Sequence, residues 1–507
     1  MAGIYPPGCP RPQRMQRVRS APQLPFASRR GGVGSGGSAD RAEAVAGLNR
    51  LVEELGASPS SMSPVARNQI ISGSLLIERG EIQQGVALFR RAANGGDAVA
   101  QTIMGVLHTR GEGVSQDHAQ ALGWYRLAAD SGLPGAERLV GFHHANGWGV
   151  PQDFAQALSW FRRAADRGDP AAQGMLGFLY SAGLGTTRDH GQAVYWYRRA
   201  ADRGDAQAQS GLGALYADGL GVAQDYHQAM IWFRRAADQG FASAQNRIGL
   251  LYDNGRGVAR DAAQALRWYR LAAEQNYSPA QVNLGSLYES GNGIPQDYAQ
   301  AMIWYRRAAD QGDPAGQTYV GSLYEHSRGV AQDYGQAAIW YRRAADQGFE
   351  EAQVNLGMLY EDGNGVPQNY AEAMTWYRRA ADQGSAIGQS QVATLYHHGF
   401  GVPKDHRQAM IWYRRAADQG DAFGQGQLGV LYASGEGIPR DYQQAMIWLR
   451  RAAGQGNFLA QHQIALLYEN GLGVPRNLDQ ATHWHRLSAA RGGLLSRQWL
   501  TQRGLTW

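Results

Sequence analysis

Residues 242–252 read Ala-Ser-Ala-Gln-Asn-Arg-Ile-Gly-Leu-Leu-Tyr, and Asp-Asn-Gly-Arg-Gly-Val follows at 253–258. At about 100° per residue, Ala244, Ile248, Leu251 and Tyr252 share one face, which predicts an amphipathic helix (helix A). Gly249 on that helix admits a close neighbour, and Gly255 and Gly257 supply a helix C-cap and a turn. A second helix (helix B) is predicted to follow and to open on a capping box, as in Asp225 with Gln228, Asp297 with Gln300, Asn369 with Glu372 and Asp441 with Gln444. Tyr226, Ala229, Met230, Trp232, Phe233, Ala236 and Ala237 sweep roughly 160° of the helical wheel, wider than a helix packed on one side requires. Helix B should therefore touch neighbours on both flanks.

Working outward, the same unit repeats. Tryptophan falls at 124, 160, 196, 232, 268, 304, 340, 376, 412, 448 and 484, a constant step of 36 with no insertion or deletion. Arginine two places later keeps that step from Arg126 to Arg486, and a tyrosine ladder runs from Tyr180 to Tyr468. Hydrophobic content of 44% with 67 Gly and 18 Pro among 507 residues fits a folded chain of regular turns. The expected fold is all-α, a right-handed α-solenoid of antiparallel helix pairs. The expected organisation is a disordered basic tail over 1–40, an isolated helix and linker over 41–61, a degenerate capping repeat over 62–97, eleven repeats over 98–493, and a C-terminal capping segment over 494–507.

The motif Ala-x-Ala-Gln-x-x-Leu-Gly-x-Leu-Tyr, then Gly-x-Gly-Val, then Ala-x-x-Trp-Tyr-Arg-Arg-Ala-Ala resembles the Sel1-like repeat family, longer-looped relatives of tetratricopeptide repeats, over residues 62–493. Departures are few: Ser327 replaces a loop glycine, Ala393 and Ala465 replace the helix A glycine, and His108 and His144 fill tyrosine slots. Some cysteine-rich relatives carry one disulfide per repeat and were linked to hydrolysis. With a single cysteine, Cys9, outside the repeats, that analogy does not transfer.

The formal charge of +5 is a property of one end. Residues 1–39 hold Arg11, Arg14, Arg17, Arg19, Arg29 and Arg30 without an acid, which leaves −1 for the remainder. Such a tail is compatible with weak, salt-sensitive phosphate binding and shares its composition with organelle transit peptides. No run of ~18 apolar residues predicts a membrane span, no signal peptide is recognisable, and a cytoplasmic location is the default expectation. Oligomeric state is left open.

No catalytic, cofactor or metal site is expected. His143-His144, His397-His398 and His483-x-His485 are the closest histidine sets, but adjacent helical residues point apart and chelate poorly. The glycines of Gly32-Val33-Gly34-Ser35-Gly36-Gly37 match a dinucleotide fingerprint, yet without a strand before or a βαβ unit after they read as a linker. The arginine pairs, such as Arg234-Arg235 and Arg306-Arg307, do not vary between copies as an RNA reader's contacts would, and read as structural or solvated.

A partner should bind where copies differ. Counted from the recurrent Gln of helix A, positions +1, +5, +8 and +9 vary and fall opposite the packed face; in tetratricopeptide structures, by resemblance, they line a concave groove. Position +5 is mostly apolar, with Phe142, Phe178, Leu250 and Met358 among its occupants, and +8 carries Asp253, Glu289, Glu325 and Glu361. An apolar strip with an acidic band would suit a basic or amphipathic protein segment. The expected function is thus a non-catalytic protein-binding scaffold, with RNA or polyanion binding through the tail as the alternative and a hydrolase by distant analogy third. Five isoleucines precede ladder tryptophans, at 231, 303, 339, 411 and 447. They either pack under the glycine loop or mark a surface for self-association.

Overall fold

The computed structural model describes residues 37–58 and 62–506. Residues 1–36 of the expected disordered basic tail, including Cys9 and most of the glycine-rich linker, lie outside the described residues, while 37–40 open the helix Gly37–Glu54. Among the described residues the chain forms twenty-six helices and no strand. They divide into two compact units, one ending at Ala272 and the other beginning at Ala273, so the boundary falls inside the helix Ala262–Glu274. Each unit is a stack of antiparallel helix pairs with the 36-residue period, a helical-repeat solenoid.

The local signals act as the residue types require. Asp225 precedes the helix Tyr226–Asp238, and its Oδ1 accepts the amides of His227 and Gln228 at 2.9 and 3.0 Å. This satisfies two of the donors a helix start leaves free. Gly240, at φ +80°, ends the pair and the helix Ala242–Asn254 begins two residues later. Gly257 lies at φ +69°, and a Cβ there would sit 2.5 Å from that of Tyr226 in the preceding copy. Only glycine fits both the turn and the approach.

The constant spacing of the tryptophans follows from how copies share a core. Trp232 is buried with Ala193, Tyr197 and Ala200 of the copy before it and with Leu212 and Leu215 of its own, and Trp340 likewise seats among Tyr305 of the preceding copy and Val320 and Leu323 of its own. The ladder tryptophan thus closes the core shared by its predecessor's helix B and its own helix A, and an inserted residue would unseat it. The arginine pairs grip the same rings. Arg343 stacks over Trp340 of its own helix at 4.4 Å while Arg306 of the preceding copy covers it at 4.6 Å, and Trp412 lies likewise between Arg378 and Arg415. Such contacts are each worth about 0.5–1 kcal/mol at partly exposed sites.

A glutamine relay links copies as well. Gln317 Nε2 donates to the carbonyl of Ala309 in the preceding copy, and its Oε1 accepts Gln347 Nε2 at 2.8 Å. Where Glu137 stands in the Gln position, Arg163 and Arg167 answer it with ion pairs at 3.0 and 3.4 Å. The buried carboxylate is balanced by the repeat arginine Arg163 and by Arg167, which stands where other copies carry Gln239, Gln311 and Gln347.

Toward the N-terminus the helix Gly37–Glu54 does not stand isolated. It buries Ala44, Leu48, Leu51 and Val52, and Leu55 just beyond it gives its carbonyl to the amide of Gly135 at 3.0 Å. Its apolar face has to be covered, and the stack supplies the cover. Helices Pro64–Glu78 and Ile82–Asn94 form the next pair, and Leu494–Gln502 is the last helix.

Candidate partner-binding face

The +5 residues do not form one open strip. Phe142 is 3% exposed and meets the ring of Phe161 edge-on at 5.2 Å, so it serves the core. Phe178 and Met358 are half-buried against core clusters of their own units, and Leu250 is half-buried as well. Ser286, at the same position, is exposed.

The acids at +8 have an internal partner. In the first unit, Tyr269 donates its hydroxyl to Asp253 Oδ2 at 3.3 Å. In the second, Tyr305 donates to Glu289 at 2.8 Å, Tyr341 to Glu325 at 2.5 Å and Tyr377 to Glu361 at 2.6 Å. Each tyrosine follows a ladder tryptophan and is largely buried, and its phenol is held well above its ordinary pKa by that burial and then by the carboxylate beside it. The pairing accounts for most of the +8 position, His397 and Glu469 apart. Where the residue after the tryptophan is Phe161, Phe233 or Leu449, position +8 is Ala145, Ala217 or Ala433; where it is Tyr125, position +8 is Thr109, 3.1 Å from the phenol. A buried hydroxyl requires a partner and a phenyl ring does not.

This pairing was visible in the sequence as two positions that change together, but the +8 position read alone suggests surface. The acids nevertheless keep a surface component. Glu325 and Glu361 give Oε2 to tyrosine, while Oε1 has no partner among the described residues, and both side chains are half-exposed. Glu289 differs, because its Oε1 also accepts Arg328 at 2.9 Å.

The histidine sets disperse. His143 Nδ1 faces the Trp148 carbonyl at 3.0 Å, and burial lowers its pKa to about 4; His144 Nε2 lies instead 3.3 Å from Arg126. His485 is buried and stacks on Trp499, whereas His483 meets Trp484. His398 stacks on Phe400 and meets its neighbour His397 only edge-on, the two rings 84° apart. The five isoleucines before the tryptophans are 44–47% exposed, so the glycine loops do not cover them.

The Sel1 repeat profile matches twelve successive segments, from 73–97 and 98–133 through 422–457 and 459–493. The chain belongs to the Sel1 repeat family. Its repeats are similar to those of c5321, a protective antigen of uropathogenic Escherichia coli displaying an SLR fold, at 36% identity over 83% of this chain and 91% of that one, TM-score 0.59. A Sel1 repeat protein from Oxalobacter formigenes is 33% identical over 61% of this chain and 90% of that one, TM-score 0.48. Among curated proteins none matches significantly. Sel1 repeat proteins generally act as protein-interaction scaffolds, and their fold is typically non-catalytic. No helix among the described residues of this Sel1 repeat protein is long and apolar enough to cross a membrane.

Proposed function

We propose that this Sel1 repeat protein is a non-catalytic scaffold that holds a basic or amphipathic protein segment against the variable face of its A helices. The observation that supports this most directly is the pair Glu325 and Glu361. They occupy equivalent positions on successive A helices, are pinned through one oxygen by Tyr341 and Tyr377, and have no partner for the other among the described residues, each side chain being half-exposed. Helices in contact run ~8–10 Å apart, a spacing that suits successive basic side chains of an extended segment. Carboxylates held in place lose little side-chain freedom on binding, which favours affinity. Met358, half-buried between them in the chain, would add an adaptable apolar contact.

Selection from a random peptide display library tests the reading, with the wild type run against Glu325→Gln with Glu361→Gln. Glutamine keeps the oxygen that tyrosine needs and removes the charge, so the fold is preserved. Enrichment of peptides with spaced Arg or Lys beside apolar residues is expected, lost in the variant. Recovery of the same sequences by both proteins, or no enrichment at all, would remove this face as the binding site.

A further inference from the structure

Three departures from the repeat meet at one place in the second unit. His397 lies near the end of the helix Ala386–His398, His406 opens the helix His406–Asp418, and Glu436 sits between the loop glycines Gly435 and Gly437 of the next copy. His406 Nδ1 is 3.3 Å from His397 Nδ1 and 3.5 Å from Glu436 Oε2, and the three ligand atoms lie within 4.8 Å of one another. Other copies in this unit carry Tyr298, Tyr334, Tyr370 and Tyr442 at the position of His406, and Asn292 and Asn364 at that of Glu436. Among the described residues no other trio of histidine, cysteine or acid converges in this way.

His397 is at +8, where a polar residue ordinarily serves the tyrosine of its copy. Here that duty is taken elsewhere: Tyr413 meets Thr394 Oγ1 at 3.0 Å, and the helix A glycine opposite its ring is replaced by Ala393. His397 is thereby released toward His406. Gly437 lets the loop reach the helix start, since a Cβ there would fall 2.5 Å from that of His406.

The distances suit a cation better than a chance surface cluster. Zinc–nitrogen and zinc–oxygen bonds of ~2.0–2.1 Å in a tetrahedron separate ligand atoms by about 3.3 Å. Two observed separations already match, and the widest closes by a turn of the half-exposed Glu436 side chain. Two imidazoles and one carboxylate select a late first-row divalent cation over Mg²⁺ or Ca²⁺, which prefer all-oxygen shells. We propose that His397, His406 and Glu436 bind such a cation, Zn²⁺ being the probe, with the fourth position open to water. Bound there, it would tie the loop of the copy 422–457 to both helices of the copy 386–421.

Calorimetric titration of the untagged full chain with Zn²⁺ tests this, with Mg²⁺ as control. His406→Tyr and Glu436→Asn install residues that other copies of this unit carry at these positions, so their helicity should match the wild type. One Zn²⁺ per chain is expected, with affinity reduced at least ~100-fold in each variant, since even outer-shell changes cost 10–100-fold. Zn²⁺ should also raise the thermal midpoint of the wild type and leave both variants unmoved. Absence of Zn²⁺ uptake by the wild type overturns the site. So does uptake that both variants retain, which would assign the ion to other histidines and reduce this cluster to a hydrogen bond and an ion pair.

Discussion

The phenol of Tyr377 donates to Oε2 of Glu361 at 2.6 Å within one copy, and where Phe233 replaces the tyrosine, Ala217 replaces the acid. The two positions act as one unit. Tyr377→Phe should therefore cost about 1.5 kcal/mol, the worth of a hydrogen bond to a charged group, and Glu361→Ala should cost more because it strands a buried hydroxyl. The double change, which reproduces Phe233 with Ala217, should be milder than the sum. Urea denaturation of the four proteins gives the coupling energy; strict additivity would show the pair to be energetically idle.

Ser327 occupies the position of a loop glycine and lies at φ +57°, a left-handed conformation that glycine adopts freely. Ser327→Gly is expected to stabilise the second unit by about 1 kcal/mol. A rise in the denaturation midpoint at unchanged slope would register it; an unchanged midpoint would mean that the hydroxyl contact to the Val330 carbonyl at 3.3 Å offsets the strain.

His485 is buried against Trp499, and burial, then His462 and Arg503, hold its pKa down to about 4. Its folded pKa lies below its unfolded value near 6.5, so the unfolded chain binds the proton first. The stability it contributes is complete above pH 6.5 and is lost as pH falls toward 4, by up to about 1.4 kcal/mol per pH unit. Denaturation midpoints at pH 7 and 5 should show the loss, and His485→Gln should flatten it. An equal pH dependence in that variant would place the effect elsewhere, His143 with its similarly lowered pKa being the next candidate.

A Cβ built on Gly357 would fall 2.5 Å from the ring of Tyr377. Gly357→Ala should thus cost about 1–3 kcal/mol by crowding. The copy with Ala393 carries Thr394 next to it as an alternative partner for Tyr413. Adding Met358→Thr to Gly357→Ala should accordingly recover part of the loss. Thermal unfolding of the single and double variants decides, and an additive penalty would mean that the hydroxyl partner has no part in accommodating the alanine.

The helix pairs were legible because the tryptophan, the capping aspartate and the loop glycines each keep a 36-residue step, so three independent local signals agree on every boundary. The candidate face was legible only in part. Variation at +8 located it, but variation there is dictated by Tyr269, Tyr305, Tyr341 and Tyr377 across the hairpin as much as by anything outside. Phe142 shows the complementary difficulty. A wheel assigns it to the outer side, yet the neighbouring Phe161 roofs it over, and nothing in a single helix's pattern reports that. His406 and Glu436 are not legible as a pair, because no ligand spacing within one helix links them and only the loop of the next copy brings them together.

Polar pairing within a copy also bears on how such a chain can change length. The tyrosine and its acid travel together, and apart from the Glu289–Arg328 ion pair the links described across a border use a backbone carbonyl in the last turn of helix B or the face of a tryptophan, which nearly every copy presents. Duplicating, deleting or exchanging one whole 36-residue cassette leaves no hydroxyl stranded and no indole unroofed. The trio His397, His406 and Glu436 is the counter-case: spread over two cassettes, it would be severed by a cut between them.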